Sequence, residues 1–179
     1  MLARSCDSLA KAVGERDMGD WIFTALPSAA AVHIFEEYVY PGGFPDSLRK
    51  LLPRATSLLT PKFHLAVNSL FFLLCLSSAF IGKSNLVLSL SVFGLVFVNG
   101  VLHIRGAIIT KRYYPGVISG ALIYFPLAVY AYFVFLSSRQ LMWLQACLSF
   151  LLGVLYMGVL MTYVLIRQVS NTRQQGSRD

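Results

Sequence analysis

FHLAVNSLFFLLCLSSAFI, residues 63–81, and LVLSLSVFGLVFVNGVLHIRGAII, residues 86–109, decide the fold class. Neither run contains an acid, and the only formal cations in or between them are Arg105 and Lys83. A bilayer core of roughly 30 Å needs about 20 apolar residues in a helix, and both runs meet that length. The rest of the chain follows the same pattern. Further apolar runs cover about 21–40, 114–136 and 141–166, although the first is broken by His33, Glu36 and Glu37 and holds Pro27. Hydrophobic residues make up 56% of the 179 and charged residues 13%. Soluble domains carry about twice that share of charge, so these few charges would leave a water-exposed surface largely uncovered. Lipid leaves no partner for a free backbone amide, which makes helices the expected form of every span. The expected fold is an all-α polytopic membrane bundle of about five transmembrane helices.

The segments outside the spans read as follows. Residues 1–20 mix acids and bases without an apolar core, so they form a polar, interfacial segment and not a signal peptide. Residues 44–60 set leucines among Arg49, Lys50 and Arg54, which suggests an interfacial helix that Pro53 breaks. The five-span domain covers 21–167, and 168–179 form a polar tail. Cys6, Cys75 and Cys147 do not make a disulfide framework. Gly116 and Gly120 form a small-xxx-small pair suited to close helix packing.

Lys and Arg set the expected orientation. The 44–62 segment, the end of the third span with the turn after it, and the C-terminal tail hold ten of them, and the opposite side holds five. The positive-inside rule puts the C-terminus in the cytoplasm and the N-terminus outside. The protein would sit in the cell membrane of a bacterium or in an endoplasmic-reticulum-type membrane of a eukaryote. Membrane lipids are its expected surroundings. The +7 net charge fits contact with anionic lipid, and no basic stripe with interleaved aromatics points to nucleic acid. Oligomerisation is left open.

Ionisable groups inside spans are costly, about 2.5–3.5 kcal/mol each on insertion scales, so each is a functional hypothesis. The orientation places His33, Glu36 and Glu37 late in the first span, His64 early in the second and His103 late in the third. All five then lie at one depth of the cytoplasmic leaflet. His33 shares a helix face with Glu36 and Glu37, His64 shares one with Asn68, and Asn99 shares one with His103. The expected metal ligands are His33, Glu36, Glu37, His64 and His103, and the imidazole–carboxylate set suits Fe or Zn over Ca or Mg. The expected catalytic set is Glu36, Glu37, His33, His103, Asn99 and Arg112, with Arg112 able to pair with either glutamate.

His33-Ile-Phe-Glu36-Glu37, then Asn99-Gly-Val-Leu-His103, then Arg112-Tyr-Tyr114-Pro115-Gly116 follow one another in this order. Together they resemble the family of integral membrane proteins named for its HXXEE motif. The resemblance covers the first span into the fourth and implies an enzyme without specifying its reaction. Its motif residues carry over onto His33, Glu36, Glu37, Asn99, His103, Arg112, Pro115 and Gly116.

The expected function is a membrane-embedded enzyme acting on a lipophilic small molecule, with a metal ion at the His/Glu site. A metal-free acid–base isomerase or cyclase of an isoprenoid or sterol-like lipid is the first alternative. A proton- or metal-coupled transporter is the second. No inverted repeat supports transport.

Overall fold

The computed structural model describes residues 19–175, with the backbone alone at Arg54 and 167–175. Residues 1–18 of the expected interfacial segment 1–20, with Cys6, lie outside the described residues, as do 176–179. All regular structure among the described residues is helical. Helix α1 spans Asp20–Tyr38, the short α2 spans Phe44–Leu51, and α3 spans Pro61–Ile81. Helix α4 follows at Leu86–Thr110, α5 at Val117–Ser137 and α6 at Trp143–Gln175. The ends of the long helices lie within about three residues of the apolar runs in the sequence, apart from the C-terminal end. There α6 continues through the polar residues to Gln175, since no Pro or Gly interrupts that stretch.

Local chemistry accounts for each junction. Pro41, Gly42 and Gly43 stop α1, and both glycines take the left-handed φ that other residues avoid. Pro53 ends the α2 region in a single 3-10 turn, Pro53–Ala55. Arg49 then donates to the Leu59 carbonyl at 3.2 and 2.8 Å, closing 44–60 into a compact cap. Thr60 accepts from the Phe63 amide and Pro61 follows, a standard helix start for α3. Between α3 and α4 the chain folds back at Gly82, and Asn85 caps α4 through the Leu88 amide. Ser78 donates to the Ser89 carbonyl and Ser89 to that of Gly82, so the hairpin is tied on both sides.

Three helical runs are long and apolar enough to cross a membrane: Pro61–Thr110, Val117–Ser137 and Trp143–Ile166. The first is the folded-back pair α3 and α4, of 21 and 25 residues. Helix α1 is not one of the three, because His33, Glu36 and Glu37 dilute its apolar character. Even so, α1 carries Trp21, Val32 and Phe35 on its outer face, as the other helices carry Leu73, Leu122, Phe133 and Val159. Apolar surface on every long helix is what a hydrocarbon surrounding permits and water penalises.

Helix α4 is the hub. Residues 89–96 are buried all around it, with α3, α5 and α6 on its flanks. Small residues set these close approaches. A β-carbon on Gly94 would stand 3.2 Å from the Phe150 backbone of α6. One on Gly100 would stand 3.1 Å from the Gly120 carbonyl of α5. That second crossing brings the start of α5 against α4 one turn before His103. A π-helical turn at Gly120–Tyr124 precedes Pro126, whose ring and missing N–H rule out an ordinary turn there.

Candidate metal centre

The site is built where α1 ends, α4 ends and α5 begins. His33 and Glu37 lie one turn apart on the buried face of α1, which continues Ile22, Leu26 and Ala29–Ala30. His103 comes from α4. Glu37 Oε1 lies 3.1 Å from His103 Nε2 and 3.5 Å from His33 Nε2. The three ligand atoms fall within 4.8 Å of one another. All three side chains are sealed from solvent, at 1%, 3% and 3% exposure for His33, Glu37 and His103.

The far side of each imidazole is fixed. His103 Nδ1 donates to the Pro115 carbonyl at 2.6 Å, since a carbonyl can only accept. His33 Nδ1 meets Ser119 Oγ at 2.7 Å, and the single Ser119 proton goes to Glu36 Oε2 at 2.5 Å. Ser119 Oγ therefore accepts from His33 Nδ1–H. With both Nδ1 atoms holding a proton, both neutral rings turn a bare Nε2 lone pair toward the Glu37 carboxylate. Three acceptors converge with no donor among them, and His33 Nε2 has no hydrogen-bond partner. Such an arrangement calls for a cation. A proton on His103 would relieve one contact and leave His33 Nε2 alone. A metal ion would satisfy all three. Ligand atoms about 2.0–2.2 Å from a common ion lie roughly 3–3.5 Å apart, close to the two Glu37 contacts at 3.1 and 3.5 Å.

Glu36 points elsewhere. Its Oε1 accepts from Tyr113 Oη at 2.8 Å and the Ile118 amide at 3.0 Å. Its Oε2 accepts from the Ser119 amide at 2.7 Å and from Ser119 Oγ. With four donors on its two oxygens it has nothing left for an ion. It caps the α5 N-terminus from a neighbouring helix, where a negative charge meets free amides and the helix dipole. Partial burial and the Glu36 carboxylate raise the Tyr113 phenol, so it stays a proton donor.

The loop before α5 closes the floor. Gly116 holds φ +89°, and a β-carbon there would stand 2.5 Å from His103 Nδ1 and 2.9 Å from His33 Cε1. Tyr114 packs on Gly106, where a β-carbon would meet its ring at 2.8 Å. Phe44 of α2 covers His103 from the other side, with ring centres 5.2 Å apart. Tyr124, fully buried, stacks on His33 at 4.5 Å.

The remaining expected site residues are placed differently. His64 is outside the triad, with Nδ1 3.3 Å from Tyr38 Oη and with Phe44 packed against both it and His103. Arg112 is exposed and forms no ion pair with Glu36 or Glu37 among the described residues. Asn99 lines a cavity beside His33 and Glu37, and its Oδ1 is buried without a partner. Ser119, Tyr113, Phe44 and Tyr124 were not singled out from the sequence. Ser119 had one signal only, its place three residues after Gly116, where a span begins.

No curated protein and no solved structure matches this chain. A family described as proteins of unknown function with an HXXEE motif matches residues 24–131. That stretch holds α1 through most of α5 and every residue of the triad and its supports. The chain belongs to the HXXEE family.

Proposed function

We propose that this protein is a membrane-embedded, metal-dependent enzyme acting on a lipophilic substrate. The geometry that carries the reading is the convergence of His33 Nε2, His103 Nε2 and Glu37 Oε1 on one point inside the buried bundle, with both Nδ1 atoms held from behind. Metal-bound histidines characteristically donate their second N–H to a carbonyl or an acidic relay, as both do here. Two histidines and one carboxylate leave open positions on a four- or six-coordinate ion, the pattern of catalytic zinc and of non-haem iron. The ion supplies Lewis acidity, activating water or polarising a substrate oxygen. His33, Glu37 and His103 would hold it, and Asn99, which lines the adjoining cavity, would orient the substrate.

The metal-free alternative rests on the 3.1 Å His103–Glu37 contact, which a single proton would complete. Elemental analysis separates the two. Protein purified without chelator is expected to hold one transition-metal ion per chain. His33→Ala, His103→Ala and Glu37→Gln are each expected to lose it, and His64→Ala to keep it. Metal-poor wild type that keeps its fold would favour the acid–base site instead.

The charge count supports a cytoplasmic location for the triad end of the bundle. In a background with the three native cysteines replaced by serine, Lys111→Cys in cells should resist an impermeant maleimide, whereas Lys83→Cys should react. The reverse pattern would invert the orientation.

A further inference from the structure

One cavity reaches the triad. It holds about 110 Å³ and runs from His33 and Glu37, past Asn68 and Asn99, to Leu70 and Leu160. Helices α3 and α6 form its two sides. Helix α3 packs along α1 and α4 and α6 along α4, but the two make no extended contact with each other among the described residues. The mouth therefore lies in a gap on the side of the bundle. Leu70 stands there 62% exposed, and the surrounding surface is Leu65, Leu73, Leu155 and Val159. That surface belongs in hydrocarbon, so the mouth faces lipid tails and not water.

The lining restricts what enters. No Lys or Arg is among the lining residues, and Glu37 is the one acid. A phosphate or carboxylate headgroup would enter a dry pocket with no cationic side chain to meet it, at a large desolvation cost. The inner end instead presents the side-chain amide of Asn99, an uncharged group that can both donate and accept a hydrogen bond. A ligand that meets it brings an uncharged hydrogen-bonding group. Drug-sized ligands need roughly 300–1,000 Å³, so this volume takes one narrow chain end.

We infer that the gap between α3 and α6 is a lateral entry for an uncharged single-chain lipid whose polar end hydrogen-bonds the Asn99 amide, a long-chain alcohol or amide. Asn99 takes that polar end and holds it beside the triad. This deepens the metal-enzyme reading by naming its substrate class, and the two fail separately.

The test uses the full chain in lipid nanodiscs with a long-chain primary alcohol carrying a diazirine partway along its chain. After irradiation, adducts are expected on 67–74 and 156–160, and unlabelled long-chain alcohol should compete while the alkyl phosphate of equal length should not. Leu160→Trp and Leu74→Trp, which fill the mouth, should abolish that labelling with metal content unchanged. Asn99→Leu should weaken competition by the alcohol roughly fivefold to tenfold, the loss of one hydrogen bond, while leaving competition by an alkane of equal length unchanged. Adducts spread evenly over the lipid-facing surface, or alkyl phosphate competing as well as alcohol, would overturn the inference. Bound metal without site labelling sinks this inference alone, and site labelling without metal sinks the metal reading alone.

Discussion

Glu36→Ala will unfold this protein more readily than any change at its neighbour Glu37. The substitution strips the acceptor from the Ile118 and Ser119 amides, the Ser119 hydroxyl and the Tyr113 phenol at once. Ser119 is buried, so its two donors cannot turn to water. Leaving a buried neutral donor unpaired costs about 1–3 kcal/mol, and the Ser119 amide and hydroxyl are both left so. Glutamine at 36 should fall between, because its NH2 cannot accept and some of the donors stay orphaned in either flip. Unfolding in mixed micelles, compared with Glu37→Gln, checks the order. A cost for Glu36→Ala below about 1 kcal/mol would show that the cap does not hold α5 in place. Ser119→Ala separates capping from metal binding. It keeps the Glu36 contacts to the two backbone amides and to Tyr113 while freeing His33 to switch tautomer. Metal affinity should fall about 10–100-fold, the usual penalty for losing a supporting partner.

Gly116→Ala is the second large effect. Its φ of +89° disfavours any side chain, and the added methyl would push into both imidazole rings. Gly43 provides the control, since it has φ +88° with nothing within 4 Å of an added β-carbon. Gly43→Ala should show the backbone cost alone, about 1–2 kcal/mol. Gly116→Ala should show that cost plus loss of bound metal, because the floor cannot drop without moving the Pro115 carbonyl that holds His103. Equal behaviour of the two variants, in stability and in metal content, would mean the rings have room to move.

These two predictions mark where sequence reading reached its limit. The helix ends were legible because Pro, Gly, Thr60 and Asn85 act on their immediate neighbours. The gathering of His33, Glu37 and His103 at one end was legible too, since spans of fixed length and alternating direction bring those positions to a common level. The division of labour between Glu36 and Glu37 was not. Adjacent residues on a helix point about 100° apart, and which one faces the other histidine depends on the rotation of α1. That rotation is set by how Phe23, Leu26, Ala29 and Ala30 pack against the rest of the bundle. His64 shows the same limit. Its place beside the same helix ends was readable, but Phe44, which arrives from the short helix α2, packs against both His64 and His103.

The sequence by itself determined an all-helical chain, where its helices begin and end, and the level at which its polar residues gather. Those depend on hydropathy and on local backbone chemistry, which act over a few residues. Only the tertiary structure decided that Glu36 caps α5 while Glu37 faces two histidines, that both rings hold their protons on the far nitrogen, and that Asn99 waits at the end of a gap between α3 and α6. Those depend on which atoms of distant segments meet within about 3 Å, a distance set by helix rotation and crossing and carried by no local pattern.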